Sequence, residues 1–189
     1  MGAYLDQPVK DKNPESGTAA LCCWGVCSMQ GWRCNMEDDH VAKEVDLGGG
    51  KKAMLFCVFD GHGGKEVANY ARERFAAIFA STPDFKNKKY DAALADTFMK
   101  LDDEIKDKEY GRDTGSTACV VFIDDNQIIC VNAGDSRGVL CSGEQAVALS
   151  DDHKPDNAGE QARIERANHM VEDQRVDGNL ALSRALGDF

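Results

Sequence analysis

Three acidic segments stand at the ends of strand-like runs and could together bind a metal ion. They are Glu37-Asp38-Asp39, Asp60-Gly61 and Gly134-Asp135. If strand pairing brings these ends together, several carboxylates converge, and such like charges cannot all stay ionised without a counter-charge. A hard divalent cation supplies it, and an all-oxygen ligand set favours Mg²⁺ or Mn²⁺ over zinc. The plainer alternative is that residues 37–39 are a solvated charge run and Asp135 an ordinary turn residue.

Two residues beside these acids could act on a phosphate group. Arg33 precedes Glu37 by four residues, and its planar guanidinium can pair with two phosphate oxygens. Alternatively, Arg33 forms a surface salt bridge to Glu37, which would contribute little. His62 follows Asp60 by two residues, where an imidazole could donate a proton or support a metal ligand.

A buried strand is the element that must position the central acid. The apolar run Met54–Phe59 predicts a strand buried on both faces, and it stops abruptly at Asp60-Gly61-His62-Gly63-Gly64. A side chain at the end of such a strand is held in place and can still reach a ligand. The alternative is an Asp-Gly hairpin turn with an incidental histidine.

The order of the predicted elements indicates an α+β fold. Strands come first, two amphipathic helices are predicted from about Val67 to Ser81 and from Tyr90 to Lys108, and further strands follow. This order favours an antiparallel sheet system with helices packed outside it over alternating βαβ units. Residues 1–19 are mostly polar and are predicted to form a flexible lead-in to one domain over residues 20–189.

Composition narrows the class of protein. A chain of 189 residues suits one domain with a substantial core, and a net charge of -11 argues against a nucleic-acid partner. No apolar run is long enough to span a membrane and no signal-peptide core is present, so we expect a cytoplasmic or nuclear location. The 8 cysteines include no Cys-x-x-Cys pair, which disfavours zinc, and without a secretory signal a disulfide framework is also disfavoured.

Seven short motifs are spread along almost the whole chain. Taken together, they indicate a protein family more specifically than any single motif does. In chain order they are Ser28-Met29-Gln30-Gly31-Trp32-Arg33, Met36-Glu37-Asp38, Val58-Phe59-Asp60-Gly61-His62-Gly63-Gly64, Thr114-Gly115-Ser116-Thr117-Ala118, Asn132-Ala133-Gly134-Asp135-Ser136-Arg137-Gly138, Asp152-His153-Lys154-Pro155 and Leu182-Ser183-Arg184-Ala185-Leu186-Gly187-Asp188. In type and order they resemble the metal-dependent type 2C serine/threonine phosphatases, the PPM family.

The resemblance implies both a fold and a reaction. The fold is a β-sandwich of two antiparallel sheets flanked by helices, in the layer order α/β/β/α. The reaction is hydrolysis of phosphoserine or phosphothreonine by a metal-bridged hydroxide, with two Mn²⁺ or Mg²⁺ ions in the complete domain and a third, weaker ion. Phosphoproteins are the implied substrates, and the complete protein is expected to be a monomer.

The resemblance also implies the metal ligands. Asp60 bridges the two ions, while the Gly61 carbonyl and Glu37 complete one of them. Asp38 acts through water, and Asp135 helps to hold the weaker ion. These assignments come from the resemblance and not from the spacing of the residues.

Three residues have catalytic roles by the same resemblance. Arg33 holds the substrate phosphate, His62 is the general acid for the leaving alkoxide, and Asp60 organises the reacting centre. Because Arg33, Glu37, Asp60 and His62 are all present, we favour a phosphatase catalytic domain. The alternative is a non-catalytic metal-binding or interaction module, either a pseudophosphatase or an inactive fragment.

The two ends of the chain give two further expectations. The family's domain continues beyond Asp188-Phe189 with Asp-Gly and Arg-Asp-Asn motifs that supply further metal-binding aspartates. We therefore expect a domain truncated at the C-terminus, with little activity of its own. The opening Met1–Asp6 is similar to myristoylated relatives, although Asp6 replaces the usual Ser or Thr. Membrane contact is expected only if Gly2 is acylated.

Overall fold

The computed structural model describes residues 4–189 as a mixture of strands and helices, which confirms the predicted α+β class. The expectation about Gly2 lies outside the described residues. Every helix within residues 4–189 is too short or too polar to cross a membrane. The helices are α1 (Glu66–Ser81), α2 (Pro83–Lys86), α3 (Tyr90–Lys106) and α4 (Ala158–Arg166). The strands are β1 (Tyr4–Val9), β2 (Asn13–Thr18), β3 (Cys23–Ser28), β4 (Gly31–Arg33), β5 (Asp39–Gly48), β6 (Lys51–Phe59), β7 (Gly61–His62), β8 (Gly115–Ser116), β9 (Ala118–Ile123), β10 (Ile128–Ala133), β11 (Val139–Ser142), β12 (Gln145–Ala148), β13 (Val171–Glu172), β14 (Arg175–Val176) and β15 (Leu186–Gly187).

A four-stranded antiparallel sheet in the order β10-β9-β6-β5 is the centre of the fold. Side chains alternate between the two faces of a strand, and in β6 Leu55, Cys57 and Phe59 point to the buried face. The opposite face is buried only at one end, since Met54 is 2% exposed but Val58 is 47% exposed. The prediction that this strand is buried on both faces therefore fails near its C-terminal end, where no second large sheet within residues 4–189 covers it.

Helices α1 and α3 cover the buried face of the sheet, as their apolar spacing predicted. Phe79 of α1 is completely buried, and its ring centroid lies 5.5 Å from that of Phe122 in β9. Tyr90, at the start of α3, packs against the same ring, with the centroids 4.7 Å apart and the ring planes tilted by 39°. Burial of one such aromatic side chain stabilises the fold by about 1.5–3 kcal/mol, so these contacts hold the helices rigidly on the sheet.

The remaining strands form small sheets around this centre. They pair as β1-β4, β2-β3, β11-β12, β13-β14 and the three-stranded β15-β8-β7. The resemblance implies a sandwich of two sheets, but residues 4–189 form only one sheet of four strands. The complete α/β/β/α arrangement stays a prediction.

The prediction of a flexible lead-in before residue 20 is wrong for the part that the structure describes. Residues Tyr4–Val9 and Asn13–Thr18 are strands, and each pairs antiparallel with a later strand, β4 and β3 respectively. A local contact helps to hold the second pair. Trp24 lies so close to Gly17 that a Cβ atom there would fall 2.7 Å from the indole ring. Polar composition suggested disorder, but cross-strand hydrogen bonds to residues further along the chain order this segment.

Candidate active site

Asp60 stands at the C-terminal end of β6, where the predicted buried strand gives way to the turn. Its backbone N–H donates to the Thr117 hydroxyl at 3.1 Å, and the Thr117 N–H donates back to the Asp60 carbonyl at 2.9 Å. The Thr117 hydroxyl in turn lies 2.7 Å from that of Ser136. These bonds fix the backbone of the turn and leave the Asp60 carboxylate facing a cleft.

The register of the central sheet brings the second acidic segment to the same place. Asp39 pairs with Phe59, so the residues just before β5 lie beside the turn that follows β6. The approach is close, because a Cβ atom on Gly61 would fall 2.5 Å from the Glu37 carbonyl oxygen. Only glycine permits this contact, and it places Glu37 and Asp38 next to Asp60.

Asp38 and Asp60 form a pair of neighbouring carboxyl groups. Partial burial of the Asp38 carboxyl, together with the charge of Asp60 and a hydrogen bond to it, raises the pKa of Asp38 to about 6. A bound cation would relieve this unfavourable ionisation of Asp38 beside a second carboxylate.

These residues could bind a divalent ion that keeps several of its waters, but they could not surround an ion with protein ligands alone. Within residues 4–189 no three His, Cys, Asp or Glu side chains are grouped closely enough to hold an ion by themselves. Mg²⁺, however, keeps several waters and typically takes one or two carboxylates from the protein. The Asp38 and Asp60 carboxylates and the Gly61 carbonyl are donors of that kind, and Glu37, whose side chain is only 16% exposed, is adjacent.

A cleft of about 350 Å³ extends from Asp60 to the residues predicted to act on a phosphate, and Asp38 lines an adjoining cavity. Arg33, Asp60, His62 and Asp135 all line the cleft. The Arg33 guanidinium also lies 3.8 Å from the Glu37 carboxylate, so the salt bridge considered as an alternative is present as well. Its side chain remains 59% exposed, which leaves it accessible to a ligand in the cleft.

His62 is held by a residue for which no role was predicted. Its Nε2 lies 2.9 and 2.8 Å from the two carboxylate oxygens of Asp188. Partial burial lowers the pKa of His62, but the hydrogen bond and charge of Asp188, with Asp60 and Glu37, outweigh it and leave that pKa raised. Asp188 lies in one of the motifs, but only the fold shows that it reaches His62.

The third acidic segment, Gly134-Asp135, lies at the cleft, but its carboxylate is already in an ion pair. Asp135 lines the same cleft as Asp60, but its carboxylate forms an ion pair with Lys154. The Asp135 carboxylate therefore fits a metal ion less well than the Asp38–Asp60 pair does. Of the three segments predicted to converge, two are in contact and the third lies across the cleft.

Comparison with known proteins identifies the family of this site. The family described as Protein phosphatase 2C matches residues 24–189. The chain belongs to the protein phosphatase 2C family. The resemblance inferred from the motifs is thereby confirmed, and the matched range includes Arg33, Asp60, His62, Asp135 and Asp188.

Individual relatives of the chain are similar over its whole length. It is 42% identical to "Probable protein phosphatase 2C 2" of Paramecium tetraurelia and 45% identical to "Protein phosphatase 2C homolog 2" of Schizosaccharomyces pombe. The match covers 100% of this chain in each case, but only 66% of the first protein and 53% of the second.

A solved protein phosphatase 2C structure has the same fold over a large part of its length. The serine-threonine phosphatase 2C of Toxoplasma gondii superposes with a TM-score of 0.72 at 18% identity. The superposition covers 98% of this chain and 71% of that one. At this identity the match establishes the fold alone.

Proposed function

We propose that the protein containing this chain is a metal-dependent protein serine/threonine phosphatase, a phosphoric monoester hydrolase acting on phosphoserine and phosphothreonine in proteins. The single observation that supports this most is the cleft itself. It brings Asp60, an exposed guanidinium and an imidazole to one place, and Asp38 lines an adjoining cavity that shares Asp60 and Arg33 with the cleft. Membership of the protein phosphatase 2C family supports the same chemistry.

The acidic side of the cleft is the proposed metal site, for Mn²⁺ or Mg²⁺. Asp60 and the Gly61 carbonyl are the proposed direct ligands, with Glu37 beside them and Asp38 acting through water. Bound ions supply positive charge to the transferring phosphoryl group and lower the pKa of water. Asp135 is proposed to hold a weaker ion only when Lys154 releases it.

The cationic side of the cleft is proposed to act on the substrate. The planar fork of Arg33 can pair with two oxygens of a phosphate, which would hold the phosphorus atom in line with the acidic pair. His62 is proposed to donate a proton to the serine or threonine oxygen as its bond to phosphorus breaks, since an alkoxide is a poor leaving group without one.

The larger architecture is proposed on the same basis. We infer a sandwich of two antiparallel sheets with helices outside, in a catalytic domain that includes residues 20–189. The Toxoplasma match over most of the chain supports that arrangement. The protein is proposed to act on phosphoproteins as a monomer.

The test is metal-dependent hydrolysis of a phosphothreonine peptide by the full-length protein. Replacing Asp60 by Asn keeps the shape of the side chain and removes its charge, and we expect a loss of at least about 100-fold in kcat/KM. Asp103, exposed on α3, gives the matched control, because Asp103→Asn removes a charge away from the cleft. Equal activity of wild type and Asp60→Asn, or no metal-dependent activity at all, would favour the non-catalytic module instead.

A further inference from the structure

Asp188 holds His62 with both of its carboxylate oxygens. The two oxygens lie 2.9 and 2.8 Å from Nε2, and the residues are 126 positions apart in the chain. The Asp188 side chain is only 17% exposed and that of His62 only 26%. A contact this close and this shielded restricts how the imidazole can turn.

The contact also decides where the ring carries its proton. An ionised carboxylate can only accept hydrogen bonds, so Nε2 must carry the hydrogen that points at Asp188. The other ring nitrogen, Nδ1, makes no hydrogen bond to any of residues 4–189. Because His62 lines the cleft, Nδ1 is the nitrogen left for a ligand there.

The structure around Asp188 holds its carboxylate in this position. The carboxylate lies over the backbone of Gly115, where a Cβ atom would fall 2.3 Å from Oδ2. The Asp188 N–H donates to the Thr114 carbonyl at 3.2 Å, and the preceding Gly187 N–H donates to the Asp102 carboxylate of α3 at 2.9 Å. Asp188 itself has a φ of +58°, a left-handed conformation that Asp tolerates better than most residues.

The same small sheet carries both partners. β7 contains His62, β15 ends at Gly187, and each pairs with β8, so β8 fixes the distance between them. This sheet packs against α1 and α3, which anchor it to the core.

We infer that Asp188 is a positioning residue that keeps His62 with its proton on Nε2 and presents Nδ1 to the leaving group of the substrate. The catalytic consequence rests on the proposed function. A water oxygen forms the new bond to phosphorus and gives up a proton to solvent. As the bond between phosphorus and the leaving oxygen breaks, its electron pair passes to the leaving oxygen, which takes the proton from Nδ1 of the imidazolium. The neutral ring then keeps its hydrogen on Nε2, still donated to Asp188.

The first test does not depend on activity. In the full-length protein, labelled with ¹⁵N at histidine and kept in Mg²⁺, ¹H–¹⁵N correlation spectra report the tautomer of each neutral ring. The His62 signals are those that disappear in His62→Gln. We expect wild type to show the Nε2–H tautomer, and Asp188→Asn to lose it, because the asparagine amide can donate to Nε2 in place of accepting. A wild-type ring protonated on Nδ1, or identical spectra for the two proteins, would overturn the inference.

The second test uses two substrates that differ in how much they need a proton. Asp188→Asn is expected to lower kcat on a phosphothreonine peptide by roughly 10- to 100-fold, which is part of the usual contribution of general-acid catalysis. On an aryl phosphate whose leaving group departs without a proton, kcat is expected to change by less than about threefold. Equal losses on both substrates would show a merely structural role and overturn the inference.

A variant that leaves both His62 and Asp188 unchanged separates the effect of the contact from the effect of the charge. Gly115→Ala is expected to push the Asp188 carboxylate away and to reproduce both the loss of the Nε2–H tautomer and the selective loss on the peptide. Asp103→Asn, on the exposed face of α3, is expected to change neither. If wild type hydrolyses neither substrate, the proposed function fails, and the tautomer spectra alone decide the role of Asp188.

Discussion

The Glu160 carboxylate receives two parallel hydrogen bonds from the Arg184 guanidinium. Nε donates to Oε2 at 2.9 Å and the terminal nitrogen donates to Oε1 at 2.7 Å. Glu160 lies on α4 and is only 9% exposed, and Arg163 of the same helix adds a third bond at 3.0 Å. This pair ties α4 to the segment that leads into β15, and therefore to the strand that precedes Asp188.

Replacing Glu160 by Gln should weaken that tie. The amide keeps the shape but loses the charge, so we expect the free energy of unfolding of the full-length protein to fall by about 2 kcal/mol, measured by urea denaturation. Glu165→Gln is the matched control, since Glu165 is exposed on the same helix and accepts a single bond from Gln161. It should change stability by less than about 0.5 kcal/mol. Equal effects of the two variants would contradict the prediction.

The same pair predicts how stability depends on acid. The hydrogen bond from Arg184 lowers the pKa of Glu160 from an ordinary 4.5 to about 2. A pKa depressed in the folded state means stability that is fully present above about pH 4.5 and is lost as the pH falls towards 2. We therefore expect the difference in the free energy of unfolding between wild type and Glu160→Gln to shrink between about pH 4.5 and pH 2, in urea titrations at each pH. A constant difference over that range would show that Glu160 does not titrate as described.

The spacing of apolar residues correctly predicted the two long helices and the end of the central strand. The apolar spacing from Val67 onwards predicted α1 almost to the residue, and the Tyr90 helix ends two residues before its predicted end. The abrupt end of β6 at Asp60 was also correctly predicted. Each of these features depends on residues that are close together in the chain. There the spacing of apolar residues follows directly from the burial of one face of the element.

What the sequence could not predict depends on pairing between distant segments. The contact of His62 with Asp188 needs β7, β8 and β15 to be aligned across 126 residues. The ion pair of Asp135 with Lys154 likewise follows from how two loops meet. The strands at Tyr4–Val9 and Asn13–Thr18 were missed because their polar residues have no buried face, and their order comes from their partners.

Lys154 should compete with a metal ion for Asp135. We expect Lys154→Gln to strengthen the weakest Mn²⁺ site of the full-length protein by roughly fivefold, the equivalent of one exposed ion pair of about 1 kcal/mol. Calorimetric Mn²⁺ titration measures it. The double variant Lys154→Gln/Asp135→Asn should lose the gain, because the carboxylate that it depends on is gone. If the double variant binds as tightly as the single one, the added affinity does not come from Asp135.

Two glycine-to-alanine changes should have opposite effects. At Gly61 the new Cβ would meet the Glu37 carbonyl at 2.5 Å, a backbone atom that cannot turn aside. We expect Gly61→Ala in the full-length protein to cost about 1–3 kcal/mol of stability and to weaken Mg²⁺ binding at least about tenfold, because Glu37 and Asp60 are pushed apart.

Gly159 provides the matched control for that change. It lies in α4 with nothing within 4 Å of a new Cβ, so Gly159→Ala should stabilise the protein by about 0.5–1 kcal/mol, because alanine favours a helix, and leave Mg²⁺ binding unchanged. Thermal melting and Mg²⁺ titration of both variants measure the contrast. Unaltered Mg²⁺ affinity in Gly61→Ala would mean that the close approach of Glu37 to Gly61 does not shape the metal site.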